Sequence, residues 1–144
     1  MQIREIMTHP AISIAPEESV AVAARTLAHY NIGSLPVCGA DGRLCGLVTD
    51  RDLVTRCLAS GRAPENTRVK DVMTAGMTVA TPDMTAADAA QIMGAKQIRR
   101  LPVVDREKVV GMVSLGDMAK CTENGADAAA ALTKISSNPA VFDA

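Results

Sequence analysis

The sequence predicts an α+β fold in which two repeated β-α-β-β-α units pack about a pseudo-twofold axis. Three observations predict it: the chain matches itself at a fixed offset, each copy carries an amphipathic helical pattern, and each copy closes with a short apolar run leading into a helix. The closing motifs are the clearest part of the match. Residues 46–52 read Gly-Leu-Val-Thr-Asp-Arg-Asp, and residues 111–117 read Gly-Met-Val-Ser-Leu-Gly-Asp.

The repeat keeps its register over most of each copy. At an offset of 66, residues 6–8 (Ile-Met-Thr) align with residues 72–74 (Val-Met-Thr), and Leu-Pro-Val at 35–37 aligns with Leu-Pro-Val at 101–103. The turn that follows is one residue shorter in the second copy, so the offset becomes 65 and brings the closing motifs into alignment. Such a register over nearly fifty residues indicates an internal duplication.

Each copy opens with a Met-Thr segment and a short extended piece, Ala11–Ala15 in the first copy and Met77–Thr81 in the second. A proline ends the extended piece, and Ser19 or Thr85 then stands where a helix N-cap is expected. The following helix has apolar residues at i, i+3, i+4 and i+7. These are Val20, Ala23, Ala24 and Leu27 in the first copy and Ala86, Ala89, Ala90 and Met93 in the second.

Two strands around a turn complete each copy before its last helix. The first copy pairs Leu35–Cys38 with Leu44–Val48 around a turn containing Asp-Gly, a favourable hairpin sequence. The second pairs Leu101–Val104 with Val109–Val113. The last helix of the first copy, with Leu53, Val54, Cys57 and Leu58, is expected to end near Ser60-Gly61.

Beyond the second copy, Asn124-Gly125 breaks the pattern. Ala126–Ile135 is predicted to be an alanine-rich helix, and one interpretation is that this helix docks on a dimer. Ser136–Ala144 is predicted to be a loose tail.

Composition excludes several functional classes. The net charge is −1 with no long basic run, which argues against nucleic-acid binding. No apolar stretch approaches 18 residues and no signal peptide is evident, so neither a membrane span nor export is expected and a cytoplasmic protein is the default. The four cysteines are then expected to be reduced thiols. With 1% aromatic residues, the core must be aliphatic, with help from eight methionines.

The paired Met-Thr openings, the Leu-Pro-Val segments and the closing Gly-apolar-apolar-Thr/Ser-x-x-Asp motifs together resemble a tandem pair of CBS domains. The layout is similar to small stand-alone bacterial two-CBS proteins, including the hypoxia-response type. The resemblance divides the chain into repeat 1 (1–61), a linker (62–68), repeat 2 (69–121) and a C-terminal helix and tail (122–144). It implies two pseudo-equivalent clefts between the repeats, and a homodimer of pairs.

In this family the clefts bind adenosyl ligands such as AMP, ADP, ATP, S-adenosylmethionine or NAD-type molecules, as regulatory ligands rather than obligatory cofactors. The resemblance implies that Asp52 and Asp117 accept hydrogen bonds from the two ribose hydroxyls, which suit a carboxylate. It places the Thr49 and Ser114 hydroxyls toward ribose or phosphate. The adenine would lie between backbone groups of Ile12, Ser13, Thr78 and Val79 and apolar walls of Leu35, Pro36, Leu101 and Pro102.

Cations for a phosphate are distributed unequally between the copies. Arg99 and Arg100 match the family position that faces the phosphate, whereas the equivalent Gly33-Ser34 is uncharged. Arg51 is in the first closing motif, and Gly116 replaces it in the second. The two clefts are therefore expected to differ in affinity. The alternative is that the arginine pair is only a solvated surface feature.

A structural role competes with ligand binding at the closing motifs. Thr49-x-x-Asp52 and Ser114-x-x-Asp117 also have the pattern of a capping box, in which a hydroxyl and an acidic residue satisfy the first N–H groups of a helix. Both roles could coexist in the same residues.

Two other functional classes remain open. Cys38 and Cys45 flank the first hairpin turn and could serve a thiol- or zinc-responsive stress protein together with His9 or His29, although their spacing matches no usual zinc knuckle and no metal site is predicted. A structural dimer with degenerate clefts is the second. No nucleophile motif or phosphate-binding glycine loop is present, so the prediction is a non-enzymatic sensor that acts on an unidentified effector protein in trans.

Overall fold

The computed structural model describes residues 1–120 and 125–136, and it confirms the α+β class. Cys121, Asn124 and the predicted tail beyond Ser136 lie outside the described residues. The regular elements are α1 (Val20–Tyr30), β1 (Ser34–Cys38), β2 (Leu44–Thr49), α2 (Asp50–Asp52), a π-helical segment (Leu53–Leu58), α3 (Ala86–Lys96), β3 (Arg100–Asp105), β4 (Lys108–Ser114), α4 (Leu115–Ala119) and α5 (Gly125–Ser136), with short 3₁₀ turns at Ile3–Glu5 and Val69–Asp71. None of the described helices is long and apolar enough to cross a membrane.

The two long helices begin where the sequence predicts. The hydroxyl of Ser19 accepts a hydrogen bond from the Val22 amide at 3.2 Å, and the hydroxyl of Thr85 accepts one from the Asp88 amide at 3.1 Å. Asn31 ends α1 and Gln97 ends α3, each in the left-handed backbone region. Duplicate caps and duplicate ends give the two helices the same length of 11 residues.

Each hairpin forms its own two-stranded sheet, β1 with β2 and β3 with β4. In the first hairpin Ser34 pairs with Thr49 and Val37 with Gly46, which places Thr49 at the end opposite the turn. The extended piece before α1, predicted to be a strand, contributes a single residue to this sheet. Ile14 donates to the Pro36 carbonyl and accepts from the Cys38 amide, a parallel bridge that Ala80 repeats on the second hairpin.

The helix after the first closing motif differs from the prediction. After the single turn of α2 the backbone widens into a π-helix, with the Ala59 amide bonded to the Val54 carbonyl. Only half of its apolar residues reach the core. Leu53 and Cys57 are buried, whereas Val54 and Leu58 are 54% and 57% exposed.

The compact units of the fold are not the sequence repeats. The repeat-1 unit consists of Ala11–Met77 with Arg106–Val109, and the repeat-2 unit consists of Met1–Pro10, Thr78–Asp105 and the described residues from Val110 onward. Each unit therefore takes its opening Met-Thr segment from the other repeat. Ile3 is fully buried in the core of the repeat-2 unit, and Val69 is fully buried in the core of the repeat-1 unit.

The repeated glycine of the closing motif is where the opening segment attaches. Thr74 and Leu47 exchange two backbone hydrogen bonds of 2.9 Å, and Thr8 and Met112 exchange two of 2.8 and 3.0 Å. A Cβ atom on the neighbouring Gly46 would lie 2.8 Å from the Thr74 carbonyl oxygen, and one on Gly111 would lie 2.7 Å from the Thr8 carbonyl oxygen. Only glycine lets the backbones come this close.

We expect Gly46→Ala and Gly111→Ala each to lower the free energy of unfolding by about 1–3 kcal/mol, because the added methyl group displaces a hydrogen-bonded backbone segment. Thermal unfolding followed by circular dichroism measures the loss as a lower Tm, by roughly 2–4 °C per kcal/mol for a chain of this size. Gly125→Ala is the matched control, since nothing lies within 4 Å of a Cβ there. An unchanged Tm in both variants would contradict the close-approach explanation.

Candidate functional site

The two closing motifs form duplicate capping boxes. In the first, the Asp52 amide donates to the Thr49 hydroxyl at 3.1 Å and the Thr49 amide donates to Oδ2 of Asp52 at 2.9 Å. In the second, the same bonds join Asp117 and Ser114 at 3.1 and 3.0 Å. The structural role predicted as the alternative is therefore present at both sites. It occupies one oxygen of each carboxylate and leaves Oδ1 for another partner.

The two Oδ1 atoms have different surroundings. Oδ1 of Asp52 lies 3.8 Å from Nε of Arg56, and the Asp52 side chain is 13% exposed. Arg56 is itself held in place, since its Nη1 donates to the carbonyls of Val72 and Met73. Oδ1 of Asp117 has no hydrogen bond or ion pair to any residue in the described part of the chain. Of the two carboxylates, the second is thus the one whose Oδ1 has no partner among the described residues.

A cavity of about 510 Å³ lies in the repeat-2 unit at the second capping box, where Ser114 lines it and Asp117 does not. Its residues come from the start of β3, the β4–α4 junction and α5. They are Arg99, Arg100, Ser114, Leu115, Gly116, Ala119, Gly125, Ala128, Ala129 and Leu132. A volume of this size suits a nucleotide-sized molecule.

Arg99 and Arg100 provide the positive charge at this cavity. Both are exposed, and neither guanidinium forms an ion pair or hydrogen bond with any described residue. The Arg99 carbonyl accepts from the Leu115 amide at 3.0 Å, which fixes the arginines next to the second capping box. The repeat-1 unit has the same backbone bond, from the Asp50 amide to the Gly33 carbonyl, but no cation at that position. The predicted inequality of charge is a property of the side chains alone.

The extended pieces predicted to read the adenine edge keep unused backbone groups. Ile12, Ser13, Thr78 and Val79 form no backbone hydrogen bonds with other described residues, unlike Ile14 and Ala80 beside them. Ser13 also lines a second cavity, of about 360 Å³, with Ile14, Cys38 and Val109 in the repeat-1 unit. Their predicted contact with adenine stays a prediction.

The structure corrects the prediction that the Leu-Pro segments form apolar walls for the adenine. Leu35 and Leu101 have no exposed surface and belong to the cores of their units, and Pro36 and Pro102 are buried as well. The Leu-Pro-Val segment is the central part of each hairpin, so packing of the core uses these side chains. In this conformation they offer no surface to a ligand.

Arg51 is exposed, and its amide donates to Oδ1 of Asp50 at 2.8 Å. This contact holds the backbone at the start of α2 and leaves the guanidinium outward. The structure brings Arg51 to the capping-box turn of Thr49 and Asp52, as the sequence order requires.

Sequence reasoning missed the contribution of α5 to the cavity at Arg99 and Arg100. Ala128 and Leu132 on α5 line it, while Ala131 and Ile135 pack into the core of the repeat-2 unit. The helix contacts α3 and α4 of its own chain, and its docking on a dimer stays a prediction. Its spacing indicated an amphipathic helix, but it lies outside the duplicated region, and no repeat partner indicated its location.

The first hairpin cysteines are separate thiols in the structure. Cys38 is buried and Cys45 is exposed. Burial raises the pKa of the Cys38 thiol, a hydrogen bond from Ser13 lowers it in part, and the neighbouring Cys45 raises it further. No group of three or more His, Cys, Asp or Glu residues able to hold a metal ion occurs within 1–120 and 125–136. The zinc alternative therefore gains no support from these residues.

The raised pKa of Cys38 predicts the order of thiol reactivity. Because the thiolate is the reactive form, Cys38 should react more slowly than Cys45 with a disulfide reagent at neutral pH, and its rate should rise at a higher pH than that of a free thiol. Single-cysteine variants retaining only Cys38 or only Cys45, titrated from neutral to alkaline pH, measure both rates. Faster modification of Cys38 at neutral pH would contradict the assignment of burial as the dominant cause.

Comparison with known proteins gives a consistent picture. The sequence matches the family model for the CBS domain twice, over residues 3–59 and 69–123. It is 38% identical over 134 residues to the CBS domain-containing protein YhcV of Bacillus subtilis, covering 93% of this chain and 94% of that protein. It is 31% identical over 117 residues to Hypoxic response protein 1 of Mycobacterium tuberculosis, covering 81% of this chain and 82% of that protein.

Solved structures agree with the sequence matches. A crystal structure of Hypoxic Response Protein I with two coordinated zinc ions has a TM-score of 0.78 at 30% identity, covering 84% of this chain and 98% of that one. The CBS domain pair of protein MJ0100, in complex with 5′-methylthioadenosine and S-adenosyl-L-methionine, has a TM-score of 0.78 at 27% identity, covering 87% of this chain and 98% of that one.

Proposed function

The chain belongs to the CBS-domain family as a paired regulatory module, and from this premise we propose that it binds a phosphate-bearing adenosyl ligand, such as an adenine nucleotide, at Asp117, Ser114, Arg99 and Arg100. The observation that carries the proposal is the pair of exposed arginines that line a cavity of about 510 Å³ and have no side-chain partner among residues 1–120 and 125–136. The adenosyl compounds bound to the CBS pair of MJ0100 support the adenosyl part.

The ribose contact follows from the capping box. A ribose presents two neighbouring hydroxyl donors, and Oδ1 of Asp117 is an acceptor with no partner in the described part of the chain. The cap fixes the carboxylate in one rotamer, so binding loses little side-chain entropy there. The same contact at Asp52 would compete with Arg56, whose Nε lies 3.8 Å from the corresponding oxygen. We therefore assign the tighter site to Asp117.

The phosphate contact follows from the charge. Two guanidinium groups can donate several hydrogen bonds to phosphate oxygens, and charge-assisted bonds of this kind are the stronger class. A ligand that reaches from Asp117 into the cavity would also contact Ala128 and Leu132 of α5. Ligand binding would then stabilise the docked position of α5 through differential affinity for the docked and undocked states, which supplies a regulatory output to an effector in trans without any catalytic step.

Asp117→Asn is expected to separate binding from capping. The amide oxygen still accepts from the Ser114 amide, so stability is retained, but the ribose loses its charged acceptor. Affinity for ATP, measured by titration calorimetry, should fall about 10- to 100-fold. Asp117→Ala should lose the same affinity and also about 0.5–2 kcal/mol of stability.

Asp52→Asn is the matched control from the first capping box, and it should change ATP affinity less than Asp117→Asn. Unchanged affinity in both Asp117 variants, together with a lower Tm in Asp117→Ala, would leave only the capping role. Equal losses at Asp52 and Asp117 would contradict the assignment of the tighter site.

The double variant Arg99→Gln/Arg100→Gln tests the phosphate contact. We expect it to weaken ATP, ADP and AMP about 10- to 100-fold and to leave adenosine nearly unchanged, because only the phosphates lose charged partners. Arg62→Gln, at another exposed arginine, is the control for a general loss of charge. A thermal-shift panel with S-adenosylmethionine and NADH identifies the preferred ligand, since stabilisation grows with ligand concentration over Kd.

Two outcomes would overturn parts of this proposal separately. If adenosine binds the wild-type protein as tightly as ATP does, the phosphate assignment is wrong and the adenosyl assignment stands. If none of the adenosyl compounds raises the Tm, the adenosyl function is wrong, and a structural role for the pair is favoured.

A further inference from the structure

Each opening segment has a methionine that packs against the repeated glycine of a closing motif. Met73 contacts Gly46 in the repeat-1 unit, and Met7 contacts Gly111 in the repeat-2 unit. The thioether sulfur takes the place of the missing side chain, because a Cβ on Gly46 would lie 2.6 Å from Sδ of Met73 and one on Gly111 would lie 2.8 Å from Sδ of Met7. The two methionines align at the offset of 66, so the duplication has kept this contact in both copies.

These two residues, which we call the attachment methionines, help to hold the opening segments in place. Met73 packs against the core of the repeat-1 unit, and Met7 packs against the core of the repeat-2 unit. Each is followed by a threonine, Thr74 or Thr8, whose backbone exchanges two hydrogen bonds with the closing strand. A thioether contact and a pair of backbone hydrogen bonds therefore act side by side at each attachment point.

The attachment methionines are also within reach of solvent. Both are only partly buried, so a small oxidant dissolved in water can reach them, whereas Met93 and Met118 have no exposed surface. The glycines that they contact are buried, so each methionine has an inner side packed against a strand and an outer side open to water. Exposure thus distinguishes the attachment methionines from the methionines of the core.

We propose that Met7 and Met73 are modification sites at which a peroxide oxidises the thioether to a sulfoxide and thereby loosens the opening segment. The sulfur attacks one oxygen of hydrogen peroxide, so that an S–O bond forms and the O–O bond breaks. The proton of the transferred oxygen passes to the departing hydroxide, which leaves as water. The sulfur loses two electrons and the peroxide gains them. A dithiol-dependent reductase reverses the step, because two thiols supply the electrons and become a disulfide while the oxygen leaves as water.

A sulfoxide does not reproduce the contact that the thioether makes, because the added oxygen makes the side chain polar and chiral. The epimer whose oxygen points inward has no space, since the strand at Gly46 and Gly111 does not admit even a Cβ. The epimer whose oxygen points outward is hydrated, which weakens the packing of the side chain against the core. Either product weakens the attachment. The proposal is independent of the proposed function, since neither methionine lines the cavity at Arg99 and Arg100.

Thermal unfolding of the full chain before and after limited treatment with hydrogen peroxide tests the proposal, and peptide mapping by mass spectrometry locates each added oxygen. In the wild-type protein Met7 and Met73 should be oxidised before the buried Met93 and Met118, and the Tm should then fall by about 4 °C or more. Met7→Leu/Met73→Leu keeps the apolar volume but has no sulfur at either place, so the same treatment should lower its Tm by less than half as much.

Met77→Leu/Met84→Leu is the matched control, because both residues are partly exposed and neither is among the atoms nearest to a repeated glycine. Met84 also packs against the core of the repeat-2 unit, so the control accounts for oxidation of a core-packed methionine in general. This variant should lose as much Tm on oxidation as the wild type does. The cysteines are the same in every variant, so their oxidation cannot produce a difference.

Circular dichroism establishes that each untreated variant is folded, and the single variants Met7→Leu and Met73→Leu replace the double variant if it is not, each with partial protection expected. Methionine sulfoxide reductases for both epimers should restore the Tm of the oxidised wild type. An unchanged Tm despite sulfoxides at both attachment methionines overturns the proposal, and so does oxidation of the core methionines first. An equal loss of Tm in the leucine double variant, or a Tm that stays low after both thioethers are regenerated, overturns it as well.

Discussion

The contact between the repeated glycine and the opening Met-Thr segment is the constraint on which the rest of the structure depends. At Gly46 the carbonyl of Thr74 approaches to a distance that leaves no room for a Cβ, and Gly111 receives the Thr8 carbonyl in the same way. Since each opening segment belongs to the other repeat, neither repeat completes its core alone. Ile3 and Val69 are fully buried, so core packing as well as hydrogen bonding holds each opening segment in the unit of the other repeat.

The position of the capping boxes follows from that constraint. Attachment of the opening segment fixes β2 and β4, and each strand ends at the hydroxyl residue that begins the next helix, Thr49 or Ser114. A carboxylate held at this point by a backbone amide has a fixed orientation, which is what a binding group needs before a ligand arrives. Capping and the proposed ribose contact are therefore compatible, because they use different oxygens of Asp117.

Local patterns predicted the local structure well. The duplicated offset, the N-caps at Ser19 and Thr85 and the two hairpins depend on neighbouring residues, and the structure confirms them. The predictions that were wrong concern side-chain burial, which depends on tertiary packing. Neither the burial of Leu35 and Leu101 nor the exposure of Leu58 can be calculated from spacing alone. The π-helical widening lacks a sequence signature for the same reason.

The candidate site was predictable to a similar extent. The repeated hydroxyl and aspartate identified both capping boxes, and the arginine pair identified the more positive of the two copies. The wall supplied by α5 was not predictable, because Ala128 and Leu132 lie beyond the duplication and have no partner for comparison. More generally, an internal repeat predicts the backbone geometry of both copies, but it predicts side-chain chemistry only at positions where the two copies have similar residues.

The places where the copies disagree are then the most informative part of the chain. Both units have the same backbone bond beside the cap, from Asp50 to Gly33 and from Leu115 to Arg99, so the difference in charge cannot come from the fold. A second difference lies in the helix after each closing motif. Val54 of the first copy is 54% exposed, and its counterpart at the offset of 65 is the smaller Ala119. If a duplicated scaffold retains its geometry while its side chains diverge at these two places, selection for different tasks is the economical explanation. The copy that carries Arg99 and Arg100 is accordingly the one to which the proposed binding of an anionic ligand is assigned.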